Sequence, residues 1–109
     1  MNIDKQTQEK IQELKNYEQI FQNILIQKQT FQFELIETEN ALNEISESKD
    51  DIFKLIGNIM IKADKKKTEE DLKKRKDLLL LRLRSLESQE KDLTDKTEEL
   101  KKEVTRKLK

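Results

Sequence analysis

The apolar residues of this chain fall on two long seams. Leu14, Tyr17, Phe21, Ile24, Lys28, Phe31, Leu35, Thr38, Leu42 and Ile45 follow one another at alternating spacings of three and four, and eight of these ten are apolar. That is a helix presenting one narrow stripe to a partner helix, sustained over about four and a half heptads. Ile11, Ile20 and Leu25 lie beside the stripe and widen it. A second seam begins at Leu72 and returns at Leu79, Leu86, Leu93 and Leu100, with Lys76, Leu83, Glu90, Thr97 and Val104 between them; seven of these ten are apolar. Thr68 with Asp71 three residues on reads as a capping box, and Glu69, Glu70 and Asp71 suit the positive end of a helix. The pattern predicts a first helical arm over about 5–48 and a second over about 68–108, each about 60 Å long at 1.5 Å per residue.

Arms of equal length joined by a short middle can fold back side by side. The fold class expected is therefore all-α dominated, a single domain over 1–109 built as an antiparallel two-helix coiled coil with one central β-hairpin. Charge supports the pairing. Residues 34–51 carry seven acids against one lysine, and residues 62–76 carry eight basic residues against four acids. Folding back at the middle sets one block beside the other. Exposed ion pairs contribute only tenths of a kcal/mol each, so charge selects orientation more than it stabilises.

Between the arms, Ile52, Phe53, Leu55, Ile56, Ile59, Met60 and Ile61 crowd seven apolar residues into ten positions around Gly57, the single glycine. Two readings compete. The helix could continue, since Ile45, Ile52, Ile56, Ile59 and Ala63 keep the first seam in phase. Alternatively, "IFKLI" and "IMIKA" are strands joined by Gly57-Asn58, a two-residue hairpin turn with glycine at the position that needs positive φ. Isoleucine and phenylalanine favour strands, and the second arm's frame is offset from the first, so the hairpin is preferred, over about 52–63. With Ile56 opposite Ile59, one face carries Ile52, Lys54, Ile56, Ile59, Ile61 and Ala63, and the other Phe53, Leu55, Met60 and Lys62. Both faces are apolar, both edges are open, and a lone hairpin is marginal in water. Two thin arms cannot cover it. The middle is expected to be an assembly element, paired with hairpins of other chains.

Composition narrows the function. Of 109 residues, 42% are charged and 33% hydrophobic, with no proline, cysteine, histidine or tryptophan. Such a chain suits long helices rather than a globular core. Net charge is zero, so no global field draws it to nucleic acid or to an anionic membrane. The basic runs "KADKKK" and "KKEVTRKLK" are diluted by acids and lack the interleaved aromatics that stack on bases. The longest unbroken apolar run, Leu78–Leu81, is far short of a membrane span, and the N-terminus lacks a hydrophobic signal core; a soluble cytoplasmic protein is expected. Without histidine, cysteine or a Gly-rich phosphate loop, no enzyme and no cofactor are expected. Asp50-Asp51 and Glu69-Glu70-Asp71 lack the spacing of a calcium loop and read as helix flanks.

The order of these parts, with Phe53, Lys54, Leu55, Ile56, Gly57, Asn58, Ile59, Met60, Ile61, Lys62, Asp64 and Lys65 at its centre, resembles the prefoldin family, and within it the β-class subunits of archaeal type. The α class carries two hairpins; this chain has room for one. The resemblance implies a hexamer of two α-class and four β-class subunits, in which hairpins merge into a β-barrel platform and coiled coils hang from it. It further implies that the free tips hold non-native client proteins and pass them, without ATP, to a group II chaperonin of the cytosol. On this chain the platform would take Ile52, Phe53, Leu55, Ile56, Gly57, Asn58, Ile59, Met60 and Ile61. The client-binding candidates are apolar residues near the two ends, Ile3, Ile11, Leu14, Leu100, Val104 and Leu108, where polar seam positions are expected to weaken pairing and let the ends fray. A structural coiled-coil adaptor or tether is the alternative; it shares the seams but has no use for a hairpin apolar on both faces.

Overall fold

The computed structural model describes residues 3–108. Helix α1 (Lys5–Glu47) leads into strand β1 (Ile52–Ile56), a tight turn, strand β2 (Ile59–Ala63) and helix α2 (Lys65–Leu108). This is the expected all-α dominated fold, two long antiparallel helices with one hairpin between them. The chain divides into two compact units: Thr30–Leu83, which holds the hairpin, and a second made of the residues up to Gln29 together with those from Arg84 onward.

In the hairpin unit the seam closes on Leu79 and Leu83, with Thr38 and Thr68 also buried. Phe31, Leu35, Leu42, Ile45, Leu72 and Lys76 are half-buried along the same line. Thr38 tolerates its place because its hydroxyl donates to the Glu34 carbonyl one turn back, at 2.8 Å, so that hydroxyl is not left unpaired. The acidic and basic blocks meet as Arg75–Glu34 at 3.6 Å and Lys76–Glu39 at 3.8 Å. At the junction, Lys65 Nζ donates to the Ser48 carbonyl at 2.6 Å, tying the start of α2 to the end of α1.

In the other unit Ile24, Leu86, Leu93, Leu100 and Val104 form the buried row, with Thr7. Burying a leucine of this kind stabilises by about 1.5–3 kcal/mol. The entry to α1 is capped by Asp4, whose Oδ1 accepts the Thr7 amide at 2.7 Å; this satisfies one of the free donors of the first turn. That hydrogen bond holds the Asp4 carboxyl below its ordinary value, helped by the charges of Lys107 and Lys10.

Helix α2 starts at Lys65, not at Thr68. Asp64 takes the cap: its Oδ1 accepts the Lys66 amide at 3.1 Å and its carbonyl accepts the Thr68 amide at 2.9 Å. Because β2 runs to Ala63, the chain passes from strand to helix with only Asp64 between them. Thr68, expected as a cap, is instead buried on the seam.

Candidate functional site

The hairpin is built as its turn dictates. Gly57 has φ of 61° and no other described residue has positive φ, which is the glycine-first turn whose twist matches paired strands. The register pairs Ile52 with Ala63, Phe53 with Lys62, Lys54 with Ile61, Leu55 with Met60 and Ile56 with Ile59. Side chains alternate between faces along each strand, so both faces carry the apolar sets expected from the sequence. Both stand largely open: Leu55 is 71% exposed, Met60 67%, and Phe53, Ile56, Ile59 and Ile61 are exposed too. Lys62 and Asp51 pair at 3.3 Å across the open end of the hairpin, both well exposed, and contribute little.

In the unit that holds the termini, Ile11, Leu14, Tyr17 and Phe21 on α1 and Thr94 and Thr97 on α2 line an open groove of about 540 Å³, rimmed by Lys15, Glu18, Glu98 and Lys101. The small threonines on α2 leave room where a leucine would close the seam. The Tyr17 hydroxyl donates to Glu13 at 2.7 Å, and this bond raises the pKa of the phenol. Two of the six end residues singled out from the sequence, Ile11 and Leu14, belong to this groove. Ile3 is half-buried and Leu108 exposed. Leu100 and Val104, expected at a frayed end, are instead buried in the seam, at 9% and 8% exposure. Regular helix to Leu108, the Asp4 cap and the Lys10–Glu103 pair at 3.1 Å hold this end closed.

One pairing went unread in the sequence. Lys28 and Glu90, the polar interruptions of the two seams in this unit, face each other, with Lys28 Nζ 3.3 Å from Glu90 Oε1. Their signal was present, since each breaks its own seam and their signs are opposite. Glu90 also accepts the Thr94 hydroxyl at its carbonyl.

A family model described as "Prefoldin subunit" matches residues 8–109. The chain belongs to the prefoldin family. Among curated prefoldin relatives, a β subunit from Thermococcus onnurineus is 39% identical over 94% of this chain and 90% of its own length. A β subunit from Pyrococcus furiosus is 35% identical over the same shares. The crystal structure of the prefoldin β subunit from Thermococcus strain KS-1 superposes with a TM-score of 0.86 at 36% identity, covering 96% of this chain and 94% of that one. The resemblance to archaeal β-class prefoldin is thus borne out in sequence and in fold. Prefoldins are a chaperone family and not an enzyme class, and membership places the chain in a complex with other prefoldin subunits. Among the described residues, no helix is long and apolar enough to cross a membrane.

Proposed function

We propose that this chain is a β-class subunit of a hexamer of two α-class and four β-class subunits, a cytoplasmic holdase that works without ATP. The hairpin is its assembly element, carried by residues Ile52 to Ile61. The observation that supports this most is the hairpin's two exposed apolar faces. Covering its seven large apolar side chains is worth on the order of 10–20 kcal/mol as an upper limit, and six of the seven stand exposed. Non-native proteins bind at the end that carries the termini. There the groove beside Ile11, Leu14, Tyr17 and Phe21 offers an apolar floor between charged rims, a weak grip for unfolded chain. Ile3 and Leu108, nearer the termini, add apolar surface of their own, and Leu100 and Val104 join only when the end opens. Several such ends in one complex multiply a weak grip through effective concentration. Clients then pass to a group II chaperonin.

The test deletes residues 1–21 and 94–109, which removes the groove, and assembles the truncated chain with an α-class partner. Assembly survives, because the hairpin unit is untouched, while protection of a denatured client from aggregation falls sharply in nucleotide-free buffer. Full protection by the truncated complex places client binding elsewhere, and protection that requires ATP overturns the holdase reading.

A further inference from the structure

Beyond the hairpin, the same unit exposes four more large apolar side chains: Phe33 at 63% and Ile36 at 57% on α1, Leu78 at 47% and Leu81 at 60% on α2. Leu79 and Leu83 beside them already fill the seam, so the Leu78–Leu81 turn is apolar all round. A helix with that character is covered on more than one side. Two contacts fix the level of these residues. The Arg82 guanidinium lies 5.6 Å from the centre of the Phe31 ring, and Lys76 reaches Glu39 at 3.8 Å. Residues 33–36 and 78–81 therefore lie between the same two rungs.

Their heptad positions set their directions. Phe33 and Leu81 each stand at the back of their own helix, farthest from the shared seam, and so point away from each other. Ile36 lies one turn from Phe33, and Leu78 one turn from Leu81, which makes each edge an apolar pair. The charges around the two edges differ in sign on balance: Glu37 and Glu39 flank the first, and Lys74, Arg75 and Arg82, with Asp77 among them, the second.

We propose that the Phe33–Ile36 edge of one copy packs against the Leu78–Leu81 edge of a second copy of this chain standing beside it. Both edges sit at one level, so copies aligned at their hairpins meet without axial shift, acidic flank against basic flank. The contact joins two different surfaces, and each copy keeps an edge for a further neighbour. The inference rests on the reading that hairpins gather the copies; once gathered, a small patch suffices because the neighbour is held close.

The chain has no cysteine, which makes cross-linking direct. Chains carrying Phe33→Cys and chains carrying Leu81→Cys are mixed, assembled with the α-class partner and treated with a short thiol–thiol cross-linker. Links between position 33 and position 81 are expected to exceed 33–33 and 81–81 links several-fold. A complex of intact mass by light scattering in which 33–81 links are absent, or no more frequent than like-with-like links, overturns the lateral contact and leaves hairpin assembly standing. A chain that stays monomeric with and without the partner overturns both. A charge swap in the cysteine-free chain supplies a second readout: Phe33→Arg depresses the lateral contact, read as lost resistance of the complex to dilution, and Leu81→Glu added to the same chain restores it. Unchanged resistance in the single variant overturns the proposal.

Discussion

The Lys28–Glu90 pair gives the sharpest test of how the two seams recognise each other. Both side chains are largely shielded, at 17% and 27% exposure, and their charges stand 3.3 Å apart. At that separation the attraction is about 1.3 kcal/mol in bulk water and about 5 kcal/mol at an effective dielectric of about 20. Desolvation of both groups cancels much of the larger figure. Replacing only Lys28 with leucine adds apolar surface to the seam but strands a shielded carboxylate, and replacing only Glu90 strands an ammonium. Each single variant is expected to lose about 1–2 kcal/mol, since an orphaned polar group costs its desolvation. The double variant, Lys28→Leu with Glu90→Leu, is expected to return to within about 0.5 kcal/mol of the parent or to exceed it, because a leucine pair packs without desolvating charge. The assay is urea unfolding followed by circular dichroism at one fixed protein concentration, since assembly makes apparent stability depend on concentration. A double-mutant cycle then isolates the coupling, expected at about 2–4 kcal/mol. A coupling below about 0.3 kcal/mol, the level at which independent sites add, refutes the reasoning that this pair selects the register.

Three further outcomes follow from the geometry. Ile56→Lys with Ile61→Lys places charge on an apolar hairpin face and is expected to leave the helical signal nearly unchanged while abolishing assembly; an unchanged mass by light scattering counts against the hairpin as the assembly site. Gly57→Ala meets no neighbour within 4 Å but forces a side chain onto φ of 61°, so it is expected to destabilise the turn by about 1–2 kcal/mol, read as faster amide exchange in β1 and β2 with α1 and α2 unaffected. The Asp4 carboxyl, lowered by the Thr7 amide, contributes to the start of α1 above its unfolded value and loses that contribution as pH falls through its lowered folded value. The Thr7 amide resonance is expected to move through that acid range in the parent and to stay still in Asp4→Asn.

The parts of this molecule that were legible in the sequence are those written by period and by local backbone need. Recurrence at three and four residues marks a helix stripe wherever it occurs, so the arms and seam residues such as Leu79, Leu86 and Leu93 could be named without coordinates. The hairpin, its register and its two apolar faces followed from Gly57 and the two-residue period around it. The start of α2 did not follow, because Asp64 and Thr68 are both competent caps. The choice fell to Asp64 through the pairing of Ala63 with Ile52, a contact that exists only once the hairpin forms. For the same reason the burial of Leu100 and Val104 overrode the polar seam positions around them: the partner helix, the Asp4 cap and the Lys10–Glu103 pair close that end together. The groove at Tyr17 and Phe21, the meeting of Lys28 with Glu90, and the common level of Phe33, Ile36, Leu78 and Leu81 all join residues of the two helices that are 42 or more positions apart. A period tells each helix which face to bury, but which residue stands opposite which is decided when two helices dock, and there the tertiary structure alone supplied the answer.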